Sequence, residues 1–354
     1  DFFLSNVNEV LDNKWLTNNG PKVNEFEKKL ADYIGVKHAI AISNGTVALE
    51  LLIRAAGISG EVIIPSFTFV ACAHAFQWQE IKPVFCDIDP NSHNIDPKEI
   101  ELIIVATATP DMKAASTAAF TASEIGAVNA FSFDMDAACS SFLFGMSVAA
   151  SYIESGRYKN VLLIGADKMS SIINYKDRAT CIIFGDGAGA VLFEPTSDNV
   201  GLQDEYLRSD GTGREFLQAT YGGSSFPITP EVLENGGHCA FQEGRTVFKN
   251  AVFNMADATV KILERNNLTK SNVDWLVAHQ ANKRIIDATA NRIELEEEKV
   301  MMNIHKYGNT TSATLPLLLS DYESQLKKGD NLIFAAFGGG FNWGSIYLKW
   351  AYNS

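Results

Sequence analysis

Short apolar runs alternate with amphipathic stretches along almost the whole chain, and the period of each run predicts its element. Residues 39–43, 61–64 and 83–87 read as strands, with helices over 47–56 and 70–79 between them. Asp89-Pro90-Asn91-Ser92 through Ile95-Asp96-Pro97 is turn-rich and is the best candidate boundary in the chain. Beyond it the alternation resumes, with strands over 102–107, 130–135, 161–165 and 188–193 and helices over 116–125 and 140–155. Residues 197–245 are polar and glycine-rich, which predicts loops with little regular structure. Phe248, Val252, Met255 and Ile262 then mark one face of a long helix. Strands over 275–278, 332–337 and 345–350 close the chain. Strands and helices in this order predict an α/β protein with largely parallel sheets.

The 354 residues suit two domains or one two-lobed unit, and 46% hydrophobic against 20% charged residues supplies a sizeable core. This balance excludes a disordered or fibrous chain. The net charge of −13 is spread over both halves, which argues against a basic nucleic-acid module. No apolar run is long enough to span a bilayer, and no basic stretch followed by an apolar one opens the chain. Five cysteines, with no CxxC pair among them, argue against a disulfide framework or a zinc ribbon. A reduced, cytoplasmic setting is the expectation.

Chemistry can be sought where a strand hands over to a helix. Cys139 follows the strand at 130–135 and opens a helix, where unpaired N–H groups and the positive dipole end are expected to stabilise a thiolate. Most free cysteines are simply small buried residues. His279 ends the strand at 275–278, placing a polar ring in the crevice where α/β proteins build their sites; a capping histidine is the plainer reading. Asn309, in Tyr307-Gly308-Asn309-Thr310-Thr311-Ser312, reads alone as a turn or N-cap residue. Gly338-Gly339-Gly340 interrupts two apolar strands, where bare backbone can approach a ligand or form a bulge.

Together and in this order these segments resemble one family. Cys139 in Asp-Ala-Ala-Cys-Ser-Ser, His279 in Ala-His-Gln-Ala-Asn, Asn309 in Tyr-Gly-Asn-Thr-Thr-Ser-Ala, and Phe337-Gly-Gly-Gly-Phe-Asn-Trp-Gly-Ser345 resemble β-ketoacyl-acyl carrier protein synthase III. The resemblance runs from Leu102 to about Trp350 and takes in Phe184-Gly185-Asp186-Gly187-Ala188-Gly189-Ala190. It implies a thiolase-like layered fold and a decarboxylating Claisen condensation of an acyl-CoA primer with malonyl-acyl carrier protein. By the same resemblance Cys139 carries the acyl group, and the N–H groups of Cys139 and Gly339 form an oxyanion hole. His279 and Asn309 donate to the malonyl thioester carbonyl. Phe337, Gly338 and Gly340 line the substrate, and Lys283 with Arg284 receives the carrier protein. No metal or redox cofactor is implied, and a homodimer is.

The front of the chain differs. The family's opening strand and helices, with its Trp-Ile-x-x-Arg-Thr-Gly-Ile segment for the CoA nucleotide, have no counterpart. Instead Asn18-Asn19-Gly20-Pro21, Ser43-Asn44-Gly45-Thr46, Pro65-Ser66-Phe67-Thr68-Phe69-Val70 and Pro83-Val84-Phe85-Cys86-Asp87-Ile88-Asp89 resemble the DegT/DnrJ/EryC1 sugar aminotransferases. In that family the backbone matching Gly45 and Thr46 cradles the phosphate of pyridoxal phosphate, here a vestigial site, because the Schiff-base lysine has no match. The expected organisation is an aminotransferase-like segment over 1–100, an incomplete first thiolase-like half over 101–196 and a second half over 197–354. The join falls near residues 99–102. The alternatives to a ketosynthase are a pyridoxal-phosphate-dependent nucleotide-sugar aminotransferase and a catalytically incomplete chimera or binding remnant.

Overall fold

A computed structural model describes residues 2–14, 19–56, 58, 61–65, 70–79, 81–86 and 97–353. The chain divides into two compact units, Asp1–Asp96 and Pro97–Ser354. The turn-rich boundary at 89–96 lies outside the described residues.

The first unit runs α1 (Phe2–Asp12), α2 (Pro21–Ile34), α3 (Gly45–Ala55), β1 (Glu61–Pro65), α4 (Val70–Gln77) and β2 (Lys82–Cys86). Strands β1 and β2 pair in parallel from Glu61↔Lys82 to Pro65↔Cys86. Ile53, Ala75 and Ile81 form its small buried cluster. Asn44 caps α3, its Oδ1 accepting from Val47 N–H at 3.0 Å, so Gly45 and Thr46 form the helix's first turn. The strand expected at 39–43 does not form. The segment finds no partner strand among the described residues, Ile40 is 78% exposed, and Ala41 N–H turns to the Glu27 carboxylate at 2.7 Å. Apolar alternation makes a strand only where a neighbour takes up its backbone.

The second unit begins with β3 (Leu102–Ala106), α5 (Thr117–Ile125), β4 (Phe131–Met135), α6 (Ser141–Glu154), β5 (Val161–Asp167) and β6 (Gly187–Phe193). It continues with β7 (Gly201–Ser209), β8 (Leu217–Ala219), α7 (Pro230–Asn235), β9 (Ala240–Gln242), α8 (Gly244–Arg265), β10 (Trp275–Ala278) and α9 (Lys283–Arg292). Last come α10 (Ile304–Tyr307), α11 (Thr314–Tyr322), β11 (Asn331–Gly338) and β12 (Asn342–Lys349). One sheet has the order β4-β3-β5-β6 and the other β10-β11-β12-β7. Helices α6 and α11 lie between them: Phe142, Leu143, Met146, Leu315 and Leu318 share one buried cluster with Leu102 and Leu163 of the first sheet and Leu332 and Phe334 of the second. On the outer faces, Ala118 and Ala122 of α5 cover Ile103 and Val105, and Val247, Ala251, Met255 and Ile262 of α8 cover Ile333, Ala335 and Tyr347.

The two sheets repeat one plan. β3 pairs in parallel with β5, and β5 antiparallel with β6. Likewise β10 pairs in parallel with β11, and β11 antiparallel with β12. β4 flanks β3 in parallel, as Val300 flanks Leu276 by a parallel bridge. The second sheet adds β7 outside β12, antiparallel to it, whereas among the described residues the first sheet stops at β6.

The loops expected over 197–245 give way to three strands and α7. Strand β7 escaped detection because Asp204, Glu205 and Arg208 interrupt its apolar positions at the rim of the sheet, where polar side chains meet solvent or the ends of α8. Among the described residues no helix is long and apolar enough to cross a membrane, and no acid, histidine or cysteine cluster could hold a metal ion.

Candidate active site

Cys139 sits in a 3₁₀ turn, Ala138–Ser140, between β4 and α6. Ala138 N–H donates to Asp136 Oδ1 at 2.8 Å, and Ala138 takes a left-handed φ of +50°. Ser141 Oγ donates to Ala138 O, 2.6 Å away, and accepts from Ala137 N–H at 2.7 Å. Thus a carboxylate from before the cysteine and a hydroxyl from after it fix the backbone of Ala137 and Ala138. A non-glycine residue held at positive φ stores strain of the kind found at functional turns.

The second half of the unit builds the same device. Asn309 Oδ1 accepts from Thr311 N–H at 2.9 Å, Thr311 has φ +54°, and a 3₁₀ turn, Thr311–Ala313, leads into α11. Thr314 Oγ1 donates to Thr311 O at 3.1 Å, the counterpart of the Ser141 bond to Ala138 O. In this correspondence Asn309 stands where Asp136 does, and Ser312 where Cys139 does. The two turns touch, Ser312 Oγ donating to Ala138 O at 3.4 Å. Asn309 is 5% exposed and gripped by the strand bridge to Phe184, its N–H on Ile183 O at 3.0 Å and its carbonyl taking Gly185 N–H at 2.9 Å. With Oδ1 engaged, Nδ2 is the amide's remaining donor.

His279 follows β10, its N–H donating to Ala335 O at 2.8 Å. The ring is 1% exposed; Nδ1 lies 2.7 Å from Thr314 Oγ1, and Nε2 is buried with no partner. The Thr314 hydroxyl has one proton for two contacts, with His279 Nδ1 and with the Thr311 carbonyl. Where Nδ1 takes that proton, Nε2 carries N–H, the form that can donate to a carbonyl. A buried polar atom without a partner is costly unless a ligand takes it up. Burial alone holds the ring's pKa down to about 3, so it stays neutral.

The third wall is the end of β11. A Cβ on Gly338 would lie 2.7 Å from Cys139 N and 3.0 Å from Ala137 O, so only glycine lets the strand meet the cysteine turn. A Cβ on Gly339 would fall 2.9 Å from Leu217 O and 3.5 Å from the Ala138 side chain, so its backbone too lies against that turn. Gly340 has φ +132° and precedes Asn342, whose Nδ2 donates to Gly339 O at 2.8 Å and whose carbonyl accepts from Ser140 Oγ at 2.8 Å. Phe337 packs with Phe341 and Trp343, ring centroids 4.8 and 6.4 Å away.

One expectation is reversed. Cys139 is 6% exposed, and burial, followed by the charge of Asp167 and opposed by its own N–H, pushes its thiol up to about 12. The expected stabilisation of a thiolate at the helix start is outweighed, because the turn is closed off from water. Asp167 itself was not anticipated. It ends β5, is 4% exposed, and accepts through Oδ1 from Thr107 Oγ1, Ala108 N–H, Thr109 N–H and Thr109 Oγ1 at 2.8–3.1 Å. Its Oδ2 accepts from Ser312 N–H at 2.8 Å. Thr314 was also missed; a Thr three residues into a helix-starting run carries no signal until the fold brings a histidine to it.

Lys283 and Arg284 open α9 behind the cap Asn282. Lys283 pairs with Asp287 at 2.9 Å, and Arg284 lies over the Phe248 ring at 5.0 Å. Gly45 and Thr46 belong to the first unit.

Comparisons with known proteins follow the same division. Residues 133–211 match the model of 3-oxoacyl-[acyl-carrier-protein] synthase III, and residues 263–350 that of its C-terminal part. Residues 1–129 match the DegT/DnrJ/EryC1/StrS aminotransferase family, past the join expected near 99–102. β-Ketoacyl-[acyl-carrier-protein] synthase III 1 of Bacteroides thetaiotaomicron is 54% identical over 257 residues, 73% of this chain and 77% of that protein. The synthase III of Phocaeicola vulgatus is 55% identical over 258 residues, again 73% of this chain and 77% of its own length. The crystal structure of 3-oxoacyl-[acyl-carrier-protein] synthase III from Aquifex aeolicus has a TM-score of 0.67 at 36% identity, covering 73% of this chain and 80% of that one.

Proposed function

Because the chain belongs to the β-ketoacyl-[acyl-carrier-protein] synthase III family, we propose that it condenses an acyl-CoA primer with malonyl-acyl carrier protein through an acyl-Cys139 intermediate. The observation that carries the reading is the meeting of the Cys139 turn with the Gly338 backbone and the Thr311–Ala313 turn, at the mouth of the element that orients His279.

In the first half-reaction the Cys139 sulfur attacks the primer's thioester carbonyl, its proton leaves with the CoA thiol, and the acyl group passes to Sγ. In this reading the N–H groups of Cys139 and Gly339 receive the negative oxygen. In the second, the His279 Nε2–H and Asn309 Nδ2–H hold the malonyl thioester carbonyl. Carbon dioxide leaves, the resulting enolate attacks the acyl-cysteine, and the Cys139 thiolate departs and is reprotonated. A neutral histidine suits this step, because it donates without delivering its proton to the enolate.

The reaction needs no cofactor beyond the CoA thioester, and the reading brings with it a homodimer, a cytoplasmic location and carrier docking at Lys283 and Arg284. An aminotransferase is the weaker reading: residues 1–129 match that family, but the chain offers no match to its Schiff-base lysine.

Intact mass after mixing with excess acetyl-CoA tests the reading: one acetyl group is expected, mapping to Cys139 and lost in Cys139→Ser. His279→Ala should keep that adduct and lose about 10²-fold or more in malonyl decarboxylation, since it removes a donor to developing charge. An adduct elsewhere, or none, would leave only the family relationship.

A further inference from the structure

Asp167 is a buried carboxylate for which the reaction has no chemical use. Its five accepted hydrogen bonds all run to backbone N–H groups or to threonine hydroxyls, none of them to His279. Those partners come from two places. Oδ1 gathers Thr107, Ala108 and Thr109 at the end of β3, in the half that carries the cysteine. Oδ2 reaches Ser312, in the half that carries Asn309 and His279. Ser312 stands between Thr311, whose N–H fixes the Asn309 amide, and Ala313, which leads to Thr314 and so to His279 Nδ1. Gly165, two residues earlier on β5, has no room for a side chain because the Ser312 carbonyl occupies that space. The strand end is therefore shaped to seat this turn.

We propose that Asp167 is a positioning residue that sets the Asn309–Thr314 segment against the cysteine turn and so holds the decarboxylation donors in register. The inference rests on the ketosynthase reading and adds to it a division of effects between the half-reactions. The negative charge of Asp167 stands second only to burial among the influences that raise the Cys139 thiol, with Asp136 on the cysteine's own turn acting the same way more weakly. His279, the other titratable group of the site, is neutral in the working range. Removing the charge should thus make Cys139 more reactive while the donors lose their alignment.

Asp167→Asn separates the two. Its amide oxygen can keep the Oδ1 contacts, but its NH₂ then faces the Ser312 N–H, donor against donor. The expected result is loss of malonyl decarboxylation and condensation on the order of 10²-fold in kcat, the scale for a misplaced catalytic group. Iodoacetamide alkylation of Cys139 should become faster at pH 8, with its pH profile shifted to lower pH, and one acetyl group should still add from acetyl-CoA. A purely structural carboxylate would depress both half-reactions together and leave the alkylation profile in place. Should Asp167→Asn not fold, Thr107→Val removes one donor to Oδ1 and should slow condensation several-fold while acetylation persists. Wild-type kcat and an unshifted alkylation profile in the variants, with the wild-type protein acetylated normally at Cys139, would overturn the role of Asp167. Failure of wild-type acetylation would instead overturn the ketosynthase reading.

Discussion

The chemistry of single residues here is governed by burial more than by local sequence. Cys139, with its thiol pushed up to about 12, is a thiol and not a thiolate at pH 7. Below that value each pH unit multiplies the thiolate about tenfold, so the alkylation rate of Cys139 should climb steadily from pH 7 to 10 with no plateau, as iodoacetamide kinetics would record. A plateau near neutrality would mean that the helix start wins after all. The sequence identified Cys139, His279 and Asn309 as candidates because each ends a legible strand or opens a legible turn. Their electrostatics were not legible, since the helix-start argument counts the N–H groups of the turn and cannot count the walls that β11 and the Thr311–Ala313 turn add. Asp167 and Thr314 stayed hidden for a related reason: their partners lie 145 and 35 residues away in sequence.

Elements were read correctly where one apolar pattern sufficed. β3, β10 and β11 are buried on both faces and β5 more fully on one, and all four declare themselves as continuous apolar runs. Strand β7 did not, because a rim strand mixes charges into its pattern, and the segment at 39–43 did the reverse, showing a strand's pattern without a partner. At the end of β11, Gly338→Ala should bring a methyl group onto the backbone of the cysteine turn, where no flexible side chain can give way. The expected outcome is about 10²-fold slower acetylation by mass-resolved kinetics, with stability lowered by about 1–3 kcal/mol in urea titration. On α9, the basic pair stands on a chain of net charge −13. Reversing Lys283 and Arg284 to Glu should slow turnover with malonyl-carrier protein about tenfold at low salt and flatten its salt dependence. Carrier kinetics indifferent to that change would remove the docking patch.

At the scale of the molecule, the proposed reading divides the labour between the two halves of the second unit, the first supplying the nucleophile and the second the donors. The motifs of two parent families were legible along the chain, because each keeps its own residues in order. The internal repeat was not, because the two halves share strand pairing and turn geometry rather than residues; Ser312 stands where Cys139 does without resembling it. The repeat also exposes what is uneven. β12 is covered by β7, whereas β6 has no outer neighbour among the described residues and leaves Leu192 48% exposed beside Ala188 and Ala190. Such a row of free backbone donors and acceptors, flanked by small apolar side chains, is a template for a strand from another molecule. In concentrated solution this protein should therefore self-associate into β-rich aggregates by that route, with light scattering that rises with concentration and that Leu192→Lys suppresses while acetylation of Cys139 continues.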